Sequence, residues 1–456
     1  MARDISDSTP ITSRDELVAW FEKGNKGNGS LRVGTEHEKF VFHKNTLAPV
    51  CYEGDAGIRA LLEGMQKRTG WEPIEDQGHL IGLFDSVGGG AISLEPGGQF
   101  ELSGAPLETV HQTHAETERH LNDVRAIGDA LGLGFLGLGH SPLWSLKDTP
   151  VMPKSRYRIM ANYMPKVGTR GLDMMFRTCT VQANLDFTDE ADMVQKLRVS
   201  LALQPVITAL FANSPFTENK LNGYLSMRSE IWRDTDNARA GMMPFAFESG
   251  MGFERYVDYA LDVPMYFVKR GDIYHDVAGA SFRDLLAGKL TALPGECATL
   301  SDWANHLSTI FPEVRLKRYL EMRGADCGMP PFIDALPALC VGLLYDHQAL
   351  DAAWDLVKAW SAEERQRLRD DVPRLALNAK IQGRAVREIA GQVLELAEHG
   401  LKRRGHLDAS GRNEAIYLAP LHRIVERGRT SAEDLIDAYQ GPWRGSVAPV
   451  FTSNYL

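Results

Sequence analysis

The sequence predicts an α+β protein, in which helices pack on the outer face of one mostly antiparallel sheet. Residues 177–187 and 313–323 alternate apolar and polar side chains, which is typical of strands with one buried and one wet face. These strands do not alternate with helices, as the units of a parallel sheet would. From about residue 346 to residue 440 the apolar residues follow helical spacing, so this part is expected to pack on the sheet. We therefore expect residues 1–456 to form a single domain.

The elements before these strands can be placed in chain order. Residues 1–12 are expected to form a flexible tail. Ser13 followed by Glu16 is typical of a helix N-terminus, and a strand is expected around Glu36. Further along, the patterns predict a helix over 55–69, a strand over 80–84, a strand over 91–101 and a long helix over 106–131.

The glycines from Gly132 to Gly137 match the GxGxxG pattern of dinucleotide-binding loops. That pattern has this meaning only between a strand and the start of a helix. Here it follows a predicted helix and continues into Gly139 and Pro142. We therefore interpret these residues as closely packed strand glycines and not as a dinucleotide site.

Composition restricts the function classes. The chain has 456 residues, of which 44% are hydrophobic and 24% charged, as in an ordinary soluble globular protein. Its net charge of -10 argues against a nucleic-acid-binding surface. The longest apolar run, 335–345, contains Pro337 and is too short to cross a bilayer. The five cysteines form no CxxC pair, and the N-terminal residues lack an apolar signal core, so we expect reduced thiols and a cytoplasmic protein.

Paired carboxylates are the first candidates for chemistry. Glu36 and Glu38 lie two residues apart in a predicted strand, where residues i and i+2 share a face. Like charges that close repel each other unless a cation lies between them, and a hard divalent cation with oxygen ligands is the usual solution. Glu95, Gln99 and Glu101 share a parity further along the chain, with the alternative that Gly97 and Gly98 break the strand between them. The alternative for Glu36 and Glu38 is a solvated strand face of alternating charge.

The polar faces of segments 177–187 and 313–323 carry amides, carboxylates and guanidiniums, which suit a polar cavity as well as an outer surface. Several carboxylates on one wall favour Mg²⁺, which binds carboxylates together with substrate phosphates. Bridging metal ions spread the charge that develops in phosphoryl transfer, so more than one ion is compatible with this set. Arginines between residues 156 and 239 could bind carboxylates or phosphates bidentately, although each could equally be a surface charge. His37 falls on the opposite strand face and is expected to pack in the core.

Other catalytic classes lack their motifs. The chain contains no GxxxxGK[ST] loop, so a P-loop ATPase is excluded. It contains neither GxSxG nor HExxH, so neither a serine hydrolase of the elbow type nor a zincin is supported.

Seven segments, in one order along the chain, carry a resemblance to a known family: 34–40, 95–103, 177–187, 211–216, 231–236, 252–256 and 318–326. Together they resemble glutamate–cysteine ligase of the plant and proteobacterial type, from about residue 30 to the C-terminus. The resemblance implies a curved antiparallel sheet that forms a funnel-shaped active site, within the wider glutamine-synthetase-like fold group.

The resemblance also implies a reaction. ATP phosphorylates the γ-carboxylate of glutamate, and the amine of cysteine attacks the acyl phosphate to give γ-glutamylcysteine, ADP and phosphate. This is the first step of glutathione biosynthesis. The implied cofactors are ATP and Mg²⁺, and the implied partners are small molecules, with no nucleic acid and no membrane. A monomer or a homodimer is expected.

Roles for individual residues follow from the same resemblance. The implied metal ligands are Glu36, Glu38, Glu95, Glu101, Gln182 and Glu321. Arg228 corresponds to the main contact to glutamate or to the transferring phosphoryl group, and Arg323 to a nucleotide-phosphate contact. The remaining predicted site residues are Arg156, Asn184 and Tyr266 in the substrate pocket and Lys317 beside the nucleotide.

One departure from the plant members is expected. Those proteins carry a regulatory cysteine pair at positions that here are Val277 and Ala292, so that thiol switch should be missing. Cys327 and Cys340 could pair instead, but two free thiols are the simpler interpretation. Two alternatives to the main function stay open: a related ligase with a different amine acceptor, and a non-catalytic metal-binding relative.

Overall fold

The computed structural model describes residues 7–27 and 31–456. Its strands are β1 (Val33–His43), β2 (Glu72–Asp76), β3 (His79–Phe84), β4 (Ala91–Leu94), β5 (Phe100–Ser103), β6 (Leu133–Leu136), β7 (Thr180–Leu185), β8 (Phe216–Thr217), β9 (Lys220–Leu221), β10 (Ala240–Gly241), β11 (Phe267–Arg270), β12 (Ile273–Asp276), β13 (Phe311–Pro312), β14 (Val314–Leu316), β15 (Leu320–Asp326), β16 (Lys380–Ile381) and β17 (Arg384–Ala385).

The helices alternate irregularly with these strands and dominate the C-terminal part, as its apolar spacing predicts. They are α1 (Arg14–Glu22), α2 (Ile58–Thr69), α3 (Val110–Leu131), α4 (Ser155–Tyr163), α5 (Gly171–Arg177), α6 (Glu190–Leu210), α7 (Met227–Ile231), α8 (Phe253–Asp262), α9 (Phe282–Leu286), α10 (Leu300–Ser308), α11 (Pro330–Leu344), α12 (His347–Val357), α13 (Ala362–Leu375), α14 (Val386–Arg404), α15 (Ala419–Arg427), α16 (Ser431–Gln440) and α17 (Val450–Ser453).

One nine-stranded sheet organises the described part of the chain. Its strand order is β14-β15-β7-β1-β5-β4-β3-β2, and β6 pairs with the C-terminal half of β1. Every pairing within it is antiparallel. The sheet is open, with β14 and β2 at its two ends. The predicted α+β class with a mostly antiparallel sheet is therefore confirmed.

The hydrophobic core lies between this sheet and the outer helices. On β7 the alternate residues Val181, Ala183 and Leu185 are fully buried, and α11 packs against this strand and β1. The core cluster extends from Ile11 near one end of the described chain to Leu456 at the other. The single domain expected over residues 1–456 stays a prediction. Among the described residues no helix has both the length and the apolar character that a bilayer crossing demands.

Three segments differ from their predicted structure. Residues 91–101 were expected to form one strand, but they contain β4 and the start of β5, which pair antiparallel across a turn over 95–99. Residues 313–323 were expected to form one strand, but they contain β14 and the start of β15, with a tight turn over 317–319. The turn lacks glycine and proline, and the apolar residues have the same parity before and after it, so Arg318 alone marks it in the sequence. Residues 7–12, expected in a flexible tail, instead pair with the segment before α10, where Ile11 N–H donates to the Ala298 carbonyl. The other tail residues, 1–6, lie outside the described part.

A half-buried histidine joins two of the outer helices. On α3, His114 Nδ1 lies 2.7 Å from Asp334 Oδ2 on α11, and Glu118 lies near its other ring nitrogen. Hydrogen bonding to Asp334 raises the pKa of His114, and burial raises the pKa of Asp334. Both groups bind protons more tightly in the folded protein than in the unfolded chain. The stabilisation that His114 contributes is therefore fully present below the pKa of His114 in the unfolded chain. It is lost as pH rises through the higher pKa of His114 in the folded protein.

This linkage can be measured with a His114→Gln variant, because glutamine keeps a hydrogen-bond donor but does not titrate. Between about pH 6 and about pH 8, the free energy of unfolding should fall by about 1 kcal/mol more in the wild type than in the variant, since solvent screens this pair in part. Urea denaturation followed by circular dichroism at both pH values provides the comparison. An equal fall in both proteins would contradict the assignment.

Candidate active site

Antiparallel register brings the predicted acidic residues together on one face of the sheet. On β1, Glu36 lies between Gln182 of β7 and Ser103 of β5. Two residues further along β1, Glu38 lies directly opposite Glu101 of β5. Because i and i+2 share a face, these side chains line one wall, while His37 between them is fully buried on the core face. The predicted packing role of His37 agrees with that position.

These side chains open into a cavity of about 120 Å³. Glu36, Glu38, Glu95, Glu101 and Gln182 all line it. The rest of the lining includes guanidiniums and aromatic and apolar side chains, namely Arg156, Arg228, Arg315, Arg323, Tyr157, Met160, Met174, Met175, Trp232 and Phe311. Acidic residues that are far apart in the sequence thus meet at one cavity, which cationic side chains also line.

Short hydrogen bonds fix the acidic wall. Glu101 Oε2 accepts a bond of 2.6 Å from the Ser93 hydroxyl, and its Oε1 accepts one of 3.1 Å from Ser103. Asn184 Nδ2 donates to Glu36 Oε1 at 2.8 Å. The Thr180 amide donates to Glu38 Oε2 at 2.9 Å. Each carboxylate is therefore held in place on the sheet by a neighbouring residue.

The same crowding changes the acidity of two of these groups. Burial, together with the carboxylates of Glu321 and Glu101, raises the pKa of Glu36. Burial also raises the pKa of Glu38 well above its usual range, with Glu95 and Glu101 adding to the effect. A cation between these carboxylates would reverse the repulsion, so the wall is electrostatically suited to one.

Glu321 occupies a different environment from the other predicted ligands. It is 0% exposed and does not line the cavity. Arg315 and Lys317 lie 2.6 and 2.9 Å from its carboxylate, and Arg323 makes a third ion pair with it. Burial alone would raise the pKa of Glu321, but these three cations outweigh it and hold that pKa well below its usual range. Its carboxylate would have to exchange these partners to bind a metal ion.

The turn that divides segment 313–323 explains why these cations surround Glu321. Because the chain reverses at 317–319, Arg315 lies directly opposite Glu321 in the β14–β15 ladder. Lys317, predicted to contact nucleotide, is buried, forms an ion pair with Glu321 and does not line the cavity. Arg315 lines the cavity and was not singled out from the sequence, although it shares a predicted polar face with Arg323.

Two arginines are held beside the acidic wall. Arg323 Nη1 donates to Gln182 Oε1 at 2.8 Å, and its guanidinium lies 5.6 Å from the Phe311 ring centre. Arg228 is 4% exposed and donates from Nη2 to the Arg323 carbonyl at 2.7 Å. Among the described residues, Arg228 has no ion-pair partner and its buried Nε has no hydrogen-bond acceptor. Arg228 thus has hydrogen-bonding capacity left for an anionic ligand.

A second cavity of about 290 Å³ adjoins the first across Glu36, which lines both. Asn184 lies here, together with Arg32 and Tyr319. Glu36 therefore stands at the boundary between two spaces on the polar face.

Tyr266, predicted in the substrate pocket, does not line either cavity. It is fully buried and its ring stacks on the Arg239 guanidinium at 3.8 Å. Arg156 lies at the first cavity, 5.5 Å from the ring of Tyr157. Of the two residues that the resemblance implied for the substrate pocket, Arg156 lies at the cavity and Tyr266 does not.

The oxygen atoms of the acidic wall can be compared with the ligands that a metal ion requires. In residues 7–27 and 31–456, the His, Cys, Asp and Glu side chains form no group of three that could hold a metal ion as they stand. The oxygen atoms along the wall are nevertheless of the kind that Mg²⁺ prefers, and they carry an excess of negative charge. The chemistry of these residues therefore fits a magnesium ion.

The sequence matches the model of glutamate–cysteine ligase family 2 over residues 32–453. The chain belongs to this family. Curated glutamate–cysteine ligases from plants are similar along nearly its full length. The tobacco protein is 56% identical over 442 residues, which cover 97% of this chain and 82% of the relative. Rice ligase B is 54% identical over 447 residues, which cover 98% and 88%, and the Arabidopsis thaliana protein is 55% identical over 442 residues, which cover 97% and 82%.

A solved glutamate–cysteine ligase has a similar fold. The crystal structure of the Francisella tularensis protein, in complex with AMP, aligns with a TM-score of 0.52 at 12% identity. The alignment covers 91% of this chain and 86% of that chain. At such low identity the similarity concerns the fold, and it agrees with the α+β class predicted from the sequence.

The comparison corrects one prediction about this family 2 ligase. The tobacco, rice and Arabidopsis relatives are named chloroplastic, so the prediction of a cytoplasmic protein is wrong. That prediction depended on the absence of an apolar signal core. Organelle transit peptides are amphipathic and rich in arginine and serine, so the absence of an apolar core carries no information about them.

The cysteines of this family 2 ligase are free in the structure. Cys51 and Cys297 are exposed, and Cys179, Cys327 and Cys340 are buried. Burial raises the pKa of the Cys327 and Cys340 thiols to about 12 each, which makes both poor nucleophiles. The interpretation of these two residues as free thiols agrees with the structure. Val277 and Ala292, where the plant members are expected to carry the regulatory pair, offer no thiol.

Proposed function

We propose that this family 2 ligase joins the γ-carboxylate of L-glutamate to the amine of L-cysteine at the cavity under the acidic wall. A γ-carboxylate oxygen attacks the γ-phosphorus of ATP, which gives γ-glutamyl phosphate and ADP. The cysteine amine then attacks the acyl carbon and expels phosphate, which gives γ-glutamylcysteine. The reaction is the first step of glutathione biosynthesis.

The observation that carries this proposal is the convergence of four glutamates on one cavity that also contains Arg228 and Arg323. ATP and glutamate are both anionic, and the chain has a net charge of -10, so binding needs local cations. Both nucleophile and electrophile come from the substrates. Positioning and charge stabilisation are therefore the protein's main tasks, which accounts for a site without a nucleophile motif.

Mg²⁺ would be held by Glu36, Glu38, Glu95 and Glu101, with Gln182 beside them. When bound it would neutralise the charge that spreads over the phosphoryl oxygens during transfer. Glu321 has a role other than metal binding in this proposal, because it forms ion pairs with Arg315 and Arg323. It orients those arginines and is not a metal ligand in the arrangement observed.

Arg228 would contact the glutamate carboxylate or the transferring phosphoryl group, since its guanidinium is buried beside the acidic wall without an ion-pair partner in the described residues. Arg323 would contact the nucleotide phosphates, and Arg156 would line the substrate pocket. The second cavity, which shares Glu36, gives Asn184 a place beside a bound substrate. The expectation of a monomer or a homodimer stays a prediction.

An assay of ADP release tests the proposal. With ATP, Mg²⁺ and glutamate present, cysteine should stimulate ADP release more than serine or 2-aminobutyrate, and mass spectrometry should identify γ-glutamylcysteine. Chelation of the metal with EDTA should stop the reaction. Stimulation by another amine alone would indicate the alternative acceptor, and no stimulation by any amine would indicate a non-catalytic relative.

A further inference from the structure

A buried carboxylate, Asp326, lies at the end of β15 behind the two arginines. It is 1% exposed and makes no ion pair within the described residues. Its Oδ2 accepts hydrogen bonds of 2.9 Å from the Asn213 amide and 2.6 Å from the Ser214 hydroxyl, and its Oδ1 accepts one of 2.8 Å from the Ser226 hydroxyl. Three donors from another part of the chain thus converge on one buried side chain.

Both serines connect Asp326 to Arg228. Ser214 Oγ accepts from the Arg228 amide at 3.3 Å. Ser226 is the N-cap of α7, and its hydroxyl oxygen accepts from the Ser229 amide at 3.2 Å. Since a hydroxyl that donates to a carboxylate keeps its lone pairs for an amide, each serine can link the two partners at once.

The helix that carries Arg228 cannot maintain its own position. α7 has five residues, about one turn, and a single turn of helix is unstable without tertiary contacts. Its first turn is bonded to Ser214 and Ser226, and both of these serines donate to Asp326. The placement of Arg228 beside the acidic wall therefore depends on a residue 98 positions away that lies outside the lining of the cavity.

We infer that Asp326 is a positioning residue for the ligase reaction, which fixes Arg228 in the cavity through Ser214 and Ser226. The inference rests on the proposed role of Arg228 in binding glutamate or the phosphoryl group. The close approach of Gly139 supports it, since a β-carbon there would lie 2.3 Å from the Asp326 carboxyl carbon. The carboxyl group is thus enclosed on that side by backbone and has little room to rotate.

An Asp326→Asn variant tests the inference, because asparagine has the same shape but replaces one acceptor oxygen with an amide donor. We expect kcat/KM for glutamate to fall about tenfold or more, since a donor would face the Asn213 amide or a serine hydroxyl. A matched control is Asp334→Asn, another buried aspartate, at which kcat/KM should stay within about twofold of the wild type. An unchanged kcat/KM in the Asp326→Asn variant would overturn the inference.

A double-mutant comparison separates positioning from a general loss of stability. In an Arg228→Ala background, Asp326→Asn should lower kcat/KM by less than about threefold further, because the side chain that it positions is already gone. Additive losses would overturn the inference. Inactivity of the wild-type enzyme would instead remove the proposed function, so the two failures can be told apart.

If the asparagine variant does not fold, Ser214→Ala provides the same test with the carboxylate retained. The alanine removes the link from Asp326 to the Arg228 amide but leaves the Ser226 bond in place. A fall of about threefold or more in kcat/KM for glutamate, measured at a temperature at which the variant is fully folded, is the expected result. Wild-type kinetics in a folded Ser214→Ala protein would overturn the inference.

Discussion

Replacing Glu36 with glutamine should reduce turnover by about a thousandfold or more, because it removes one unit of the negative charge that the proposed magnesium site needs. Glutamine retains the shape of the side chain and an oxygen that can accept from Asn184, which lies 2.8 Å away. The loss would therefore concern charge and metal binding and not the fold. Glu101→Gln should act in the same direction, since Glu101 lines the same cavity.

Stability should change in the opposite direction to activity. Because burial and neighbouring carboxylates raise the pKa of Glu36, its ionised form destabilises the metal-free folded protein at neutral pH. A neutral glutamine relieves this repulsion, so the thermal midpoint of the metal-free Glu36→Gln protein should equal or exceed that of the wild type. A fall of several degrees would mean that Glu36 serves the fold, and the metal assignment would then lose its support.

Initial rates of ADP release and thermal unfolding in EDTA would measure both effects. Glu75→Gln is a suitable control, because Glu75 is an exposed residue of β2 near the far end of the same sheet. That variant should keep wild-type rates. Near-normal turnover in the Glu36→Gln enzyme would remove Glu36 from the proposed metal ligands.

Replacing Arg228 with alanine should lower kcat/KM for glutamate by about a hundredfold to a thousandfold. Its guanidinium is buried at the cavity, and in the described part of the chain it faces the acidic wall without an ion-pair partner. Arg228→Lys should recover part of this loss, because lysine keeps the charge but not the planar fork that binds an anion bidentately.

The control for Arg228 is close in sequence. Arg233 lies two residues after α7, forms ion pairs of 2.7 Å with Glu230 and 3.0 Å with Asp370, and does not line the cavity. Arg233→Ala should therefore leave kcat/KM within about threefold of the wild type. Steady-state kinetics with glutamate varied would separate the two arginines. Equal effects at both positions would contradict a specific role for Arg228.

The acidic wall could be predicted because strand periodicity is local. Glu36 and Glu38 share a parity, and the same rule places His37 on the core face, where it packs against His120. No interaction with a distant residue is needed to decide which side of a strand a residue faces. The predicted glutamates of β1 and β5 consequently reach the same cavity.

The three ion pairs of Glu321 could not be predicted in this way. The apolar residues of segment 313–323 have the same parity on both sides of the turn, and only Arg318 interrupts them, so local periodicity does not show that Arg315 folds back against Glu321. Tyr266 presents a similar difficulty, since its ring stacks on the Arg239 guanidinium and does not line the cavity. In both cases the environment of the side chain depends on which cation the tertiary fold places beside it. Local periodicity contains no information about that pairing.

The single helical turn that bears Arg228 has a consequence for biosynthesis of the enzyme. Ser226 donates to Asp326, which lies 100 residues downstream. A nascent chain that has not yet reached Asp326 therefore cannot form this hydrogen bond. Substrate affinity should therefore appear late, after β15 has been translated. Nascent fragments that end before it would present an arginine with no defined orientation.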